Sequence, residues 1–96
     1  MRVIVPGEEV RTEQDFHRIL AHQLEFGEHY GWNLAALRDR LLNDVPRPID
    51  LVWRNSEASR KLLGSNLFER ICAILNEAEV QDREFGWEDR FVLTLE

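Results

Sequence analysis

Three histidines and one cysteine are the first residues to try for chemistry. His17, His22 and His29 are the only histidines, and Cys72 is the only cysteine. A metal site needs several such ligands at offsets dictated by coordination geometry. No two histidines stand four apart on one helix face, Cys72 is remote from all three, and the HExxH, CxxC and EF-hand spacings are absent. Nucleotide chemistry would need a glycine-rich turn after a strand, and VPGEEV (5–10) has nothing to cradle a phosphate. Cys72 falls on an apolar helical stripe, where a thiol packs rather than attacks. An acid–base pair of His29 with Glu28 or Asp39 has no supporting motif. The chain is therefore expected to be no enzyme and to carry no metal or cofactor, with His17 and His22 on a helix surface.

A different chemistry, recognition, is suggested by EHYGWNLAALRDRL (28–41). Two aromatics flank a glycine and a helix starts at once. Aromatic rings in such a turn are costly to leave in water. Tyr30 and Trp32 alternate about Gly31, so one can cap the core while the other faces out. Either they staple the start of the helix, or they are anchors presented to a partner.

The elements that must position this stretch follow from periodicity. RVIVPG (2–7) is a β-branched run stopped by Pro-Gly, and reads as a buried strand. Thr12 is a helix N-cap with Glu13 and Asp15 in the first turn, and Phe16, Ile19, Leu20 and Leu24 recur at helical spacing. A helix is expected over 13–25. Residues 26–32 make a tight connection. Asn33 caps a second helix over 34–42, with Leu34, Leu37 and Leu41 on one face, Asp39 almost opposite, Ala35 near Asp39 on the outer face and Arg38 on a flank. Pro46 and Pro48 end it.

IDLVW (49–53) is the second strand. Asn55 or Ser56 caps a short helix to Leu63, and Gly64 stops it. A long helix follows to about Gln81, its apolar stripe being Phe68, Ile71, Cys72, Leu75 and Ala78. QDREFGWEDR (81–90) reads as a polar loop whose Phe85 and Trp87 either cover the end of the sheet or form a second contact patch. RFVLTLE (90–96) is the third strand, with Phe91, Leu93 and Leu95 on one face. The order β-α-α-β-α-α-β implies an α/β fold, a three-stranded parallel sheet packed with about four helices and joined by right-handed crossovers.

Composition bounds the partners. The chain has 96 residues, 44% of them apolar, enough for one modest core and one domain spanning 1–96. Eighteen carboxylates against 12 basic groups give a net charge of −6, which argues against nucleic-acid binding and fits either simple solubility or a basic partner. No apolar run approaches membrane-spanning length, and Pro6, Gly7, Glu8 and Glu9 interrupt the N-terminal one, so neither membrane insertion nor a signal peptide is expected. A single cysteine forbids an intrachain disulfide. A cytoplasmic protein, monomeric when free, is the expectation.

The stretch HYGWNLAALRDRL (29–41) resembles the signature of the barstar family: a Tyr-Gly-x-Asn loop, a Leu-x-Ala-Leu helix, and an acidic residue two places after the second Leu. Other pieces agree in order. They are Gly7-Glu8 after the first strand, Asp15 and His17 on the first helix, Trp53-Arg54 ending the second strand, and Asn76-Glu77-Ala78 on the long helix. The likeness covers essentially the whole chain and is weaker after Lys61, where the loop before the last strand is longer than in the family. It implies a small cytoplasmic inhibitor of a secreted bacterial ribonuclease. The resemblance also implies a mechanism: the loop and second helix plug the nuclease active site, and an aspartate, here Asp39, sits where a substrate phosphate would sit. By the same likeness Gly31 and Asn33 match loop positions that contact the nuclease, and Glu77 matches a carboxylate reaching the same partner.

Several positions depart from the family pattern. A family tyrosine is His29 here, a second interface aspartate is Ala35, an interface tryptophan is Arg38, and a tryptophan after the helix is lost near Asn43 and Asp44. Glu28, Arg38, Asp39, Arg40 and Asp44 sum to −1 across this stretch, a weak lure for a cationic active site. Trp32 is placed to restore some lost aromatic contact. Arg38 either pairs with Asp39 and blunts it, meets an acidic residue on the partner, or is merely solvated. The expected partner-facing set is His29, Tyr30, Gly31, Trp32, Asn33, Ala35, Arg38, Asp39, Asp44 and Glu77. The expected partner is a ribonuclease or another toxin-like protein; the alternative is a barstar-like interaction module whose partner is not a nuclease.

Overall fold

A computed structural model describes all residues, 1–96. The chain runs β1 (Arg2–Pro6), a short 3-10 turn (Gly7–Glu9), α1 (Glu13–Gln23), α2 (Leu34–Asn43), β2 (Ile49–Arg54), α3 (Ser56–Leu63), α4 (Ser65–Glu84) and β3 (Phe91–Leu95). The strands lie in the order β1-β2-β3 and both pairings are parallel, with Val3 opposite Leu51 and Leu51 opposite Leu93. This is the α/β architecture expected from the element order.

Burial alternates along the strands as a period of two requires, except at Val52 of β2, which is buried between Leu51 and Trp53. Val3, Val5, Leu51, Trp53 and Phe91 are sealed, whereas Arg2, Asp50, Arg54, Val92 and Thr94 face solvent. The sealed strand residues lie on one face of the sheet, and the helices pack against it. The core is one cluster that joins this face to Phe16, Ile19 and Leu20 of α1, Leu37 and Leu41 of α2, and Phe68, Ile71, Leu75 and Ala78 of α4. Trp53 sits between Phe16 and Phe68, with ring centroids 4.9 and 5.0 Å away.

Caps set the helix ends. Thr12 and Asp15 form a reciprocal capping box at α1. The Asn33 side chain accepts from the Ala36 N–H at 2.8 Å, which starts α2 where the sequence places it. Asn55 behaves differently: it precedes α3 in a left-handed conformation, φ 51°, and makes no side-chain cap bond. Gly64 stops α3 with φ 90°, a value that suits a residue without Cβ.

Two sequence-based helix boundaries shift. The first helix ends at Gln23, not Glu25, because Glu25 turns left-handed at φ 54°. The long helix runs on to Glu84, through the first residues of the expected polar loop. Asp82, assigned to that loop, is instead fully buried and accepts from Arg47 Nε at 2.6 Å and from the Phe91 N–H at 2.7 Å. On β3 burial fades from Phe91, sealed, to Leu93, half-buried, and Leu95, exposed. Cys72 is likewise half-buried at the margin of the core, and burial raises its thiol pKa.

Both outer edges of the sheet are capped by side chains. Gln23 clasps Ile4 of β1, accepting from its N–H at 3.0 Å and donating to its C=O at 2.7 Å. On β3 the N–H groups of Phe91 and Leu93 go to Asp82 and Glu79. Unpaired edge groups recruit other strands, so these carboxylates and this amide blunt that tendency.

Candidate functional site

The loop between α1 and α2 is built on a buried polar post. His17 on α1 has no exposed surface, against the expectation that it is a surface residue. Its position explains this: residues 17, 20 and 24 share one helical face, and Leu20 and Leu24 are core. His17 Nε2 lies 2.9 Å from a Glu13 carboxylate oxygen and Nδ1 lies 2.7 Å from the Tyr30 hydroxyl. A carboxylate can only accept, so in the neutral ring Nε2 carries the proton and Nδ1 accepts from Tyr30. Burial pushes the Tyr30 hydroxyl far above its ordinary pKa and keeps it protonated.

Tyr30 and Trp32 do divide between inside and outside. Tyr30 is 4% exposed and packs on Phe26 at 4.6 Å, so it supports the loop rather than presenting itself. Trp32 is 39% exposed and holds a left-handed backbone, φ 56°, unusual for a bulky residue. Its carbonyl accepts from Gln14 Nε2 at 3.3 Å, and its ring leans against His17 and Tyr30 at 6.4 and 5.9 Å. These contacts hold a strained backbone in one conformation. A Cβ on Gly31 would come within 3.1 Å of the Ala36 Cβ, so the loop runs close over the first turn of α2.

Beyond the loop, α2 displays the outer residues expected of it. His29, Gly31, Asn33, Ala35, Arg38, Asp39 and Asp44 are all exposed, while Leu37 and Leu41 point into the core. Asp39 enters no ion pair, and its carboxylate accepts only from Asn43 Nδ2, one turn on, at 3.0 Å. Asp44, at the C-terminal end of α2, lies 3.7 Å from Arg40, whose guanidinium sits 5.4 Å from the Phe26 ring and 5.9 Å from that of Tyr30.

Arg38 does not pair with Asp39. It crosses to α4 and donates from Nε and Nη2 to the two oxygens of Glu77, at 2.8 and 2.6 Å. The side-chain hydrogen bond from Arg38 holds the Glu77 carboxyl below its usual pKa, and the same bond raises that of Arg38. Two residues that the sequence places separately at one surface are thus a bridge between two helices.

α2 and α4 run side by side in the same direction. Past Arg38–Glu77, Gln81 Nε2 approaches the Leu42 carbonyl at 3.5 Å, and Arg47 reaches Asp82. Arg47 also donates to the carbonyls of Leu41 and Val45, both at 2.7 Å, and so closes the C-terminal end of α2. Sequence reasoning missed both the His17 post and the Arg47–Asp82 clamp. The helical wheel carried a signal for the first; nothing local marked the second. No helix is long and apolar enough to cross a membrane.

The comparisons agree with this geometry. The family model described as Barstar (barnase inhibitor) matches residues 1–94. A Bacillus subtilis (strain 168) protein named "Putative ribonuclease inhibitor YrdF" is 33% identical over 78 residues, which is 81% of this chain and 85% of that relative. With the loop, the capped second helix and the parallel sheet all in place, the chain belongs to the barstar family.

Proposed function

We propose that this protein inhibits a ribonuclease by covering its active site, with the Asp39 carboxylate standing where a substrate phosphate would bind. One observation carries the reading: Asp39 projects from the outer face of a rigidly capped helix and is the exposed α2 carboxylate that no cation of its own chain neutralises. The family match and the name of the relative support it. The exposed Trp32 and His29 offer contact surface on the loop that leads into α2, and Tyr30 and His17 hold that loop from beneath. The inhibitor itself performs no chemistry; it substitutes a fixed carboxylate for a phosphate and keeps RNA out.

The test is a titration of the protein and of Asp39→Ala against a barnase-like ribonuclease, following RNA cleavage. Stoichiometric inhibition is expected from the parent. Truncation leaves cationic groups of the nuclease buried and unpaired, a cost of about 2–5 kcal/mol that is known in part from complexes of this same family. Asp39→Ala that stays folded and inhibits as tightly as the parent would eliminate the phosphate-mimic mechanism. A folded parent that inhibits no ribonuclease would turn the search to a partner of another kind.

A further inference from the structure

On the proposed inhibitory face, Glu77 and Arg38 cancel each other. The bridge is bidentate, with both carboxylate oxygens and two guanidinium nitrogens engaged. It spans 39 residues of sequence and is only partly screened from solvent, with Arg38 54% and Glu77 43% exposed. It therefore lies where a partner seated on α2 would meet it. Asp44 is also faced by a cation of its own chain, Arg40. On α2 itself, Asp39 is left as a carboxylate whose charge enters no ion pair.

The bridge has a polarity towards an approaching surface. The Nη1 of Arg38 makes no hydrogen bond within the chain, since Nε and Nη2 take up Glu77. Its N–H groups can be donated outward. A cation of the partner that sought Glu77 would have to approach the Arg38 guanidinium as well, against like-charge repulsion, in an interface that excludes water. An acceptor meets no such penalty, and a carboxylate is the strongest acceptor for a guanidinium edge.

Resting on the inhibitor reading, we propose that the Arg38–Glu77 bridge is the specificity-determining element of this face. It withdraws Glu77 from the anionic surface, disfavours nucleases that place a cation opposite it, and favours one that places a carboxylate against Arg38. Specificity of this kind arises as much from the repulsive element as from the attractive one.

The experiment is a double-mutant cycle on the whole protein with a strongly basic barnase-like ribonuclease as probe, reading dissociation rates and RNA cleavage. The variants are Arg38→Gln, Glu77→Gln and the double change. The bridge is exposed and contributes little to stability, so all three are expected to fold, checked by circular dichroism and Tm. Arg38→Gln should slow dissociation about tenfold by releasing Glu77 to the probe. Glu77→Gln should undo the gain in the Arg38→Gln background, and its effects in the two backgrounds should differ because each change alters the charge left by the other.

Inhibition by Arg38→Gln together with failure of the parent would support the filter still more directly. Equal effects of Glu77→Gln in both backgrounds, with a parent that inhibits, would overturn the filter and leave the inhibitor reading standing. No inhibition by the parent or by any variant would overturn both.

Discussion

The Arg47 guanidinium grips the Asp82 carboxylate at 2.6 and 3.2 Å in a site where Asp82 is fully buried. From there the clamp extends to the end of α2 through Arg47 and to the first residue of β3 through the Phe91 N–H. Two helices and a strand thus converge on one buried carboxylate, which fixes α2 relative to the sheet. The face that carries Asp39 is held at its far end by this pair.

Asp82→Ala should destabilise the fold by about 3–5 kcal/mol, because it leaves a nearly buried guanidinium without its counter-charge. The urea midpoint measures this. Asp82→Asn should cost less, since an amide oxygen can still accept from Phe91. Equal losses in the two variants would show that the charge is not what matters.

Gly7 sits under α3 with no room for a side chain. A Cβ there would overlap the carbonyl oxygens of Arg54 and Asn55. Beside it, the buried Ser59 hydroxyl donates to the Gly7 carbonyl at 2.7 Å and accepts from Trp53 Nε1 at 2.9 Å. Gly7→Ala should cost about 3 kcal/mol or more through backbone displacement, and Ser59→Ala about 1–3 kcal/mol through the orphaned indole N–H. Thermal unfolding checks both. A Gly7→Ala protein as stable as the parent would mean that α3 can shift freely.

The His17–Tyr30 bond should matter to loop and fold together. Tyr30→Phe removes the donor to Nδ1 and leaves a buried ring nitrogen unsatisfied, a loss of about 1–3 kcal/mol by chemical denaturation. Hydrogen exchange should quicken at 24–33 before the rest of the chain, because the post holds that loop. Uniform quickening would place the bond in the global core instead.

The capping box gives the acid limb a defined contribution. For Asp15, partial burial raises the carboxyl pKa, but bonds from the Arg11 and Thr12 N–H groups, the Thr12 hydroxyl and Arg18 outweigh it and set the pKa below 3.8. A depressed folded-state value stabilises the protein above the unfolded value of 3.8, and that gain is lost as pH falls below it through the folded value. Asp15→Asn should therefore flatten the stability profile below about pH 4 while lowering stability at neutral pH. An unchanged acid limb would remove Asp15 from the linkage.

Much of this was legible in the sequence because it is local. The β-branched runs, the caps at Thr12 and Asn33, and the Leu34, Leu37, Leu41 stripe depend on neighbours within a turn or a strand, and all reappear in the structure. The outward direction of Asp39 followed from the same wheel. What the tertiary structure alone decided are the partnerships across the chain. Arg38 meets Glu77, 39 residues on, rather than Asp39 beside it. Arg47 meets Asp82, 35 residues on, and so turns a residue of an apparent polar loop into a buried one. Charged side chains are long and their attraction is indifferent to sequence distance, so composition and periodicity constrain where such a residue starts but not which counter-charge it reaches. That is set by the two helices lying side by side, and their packing is settled only when the whole core closes.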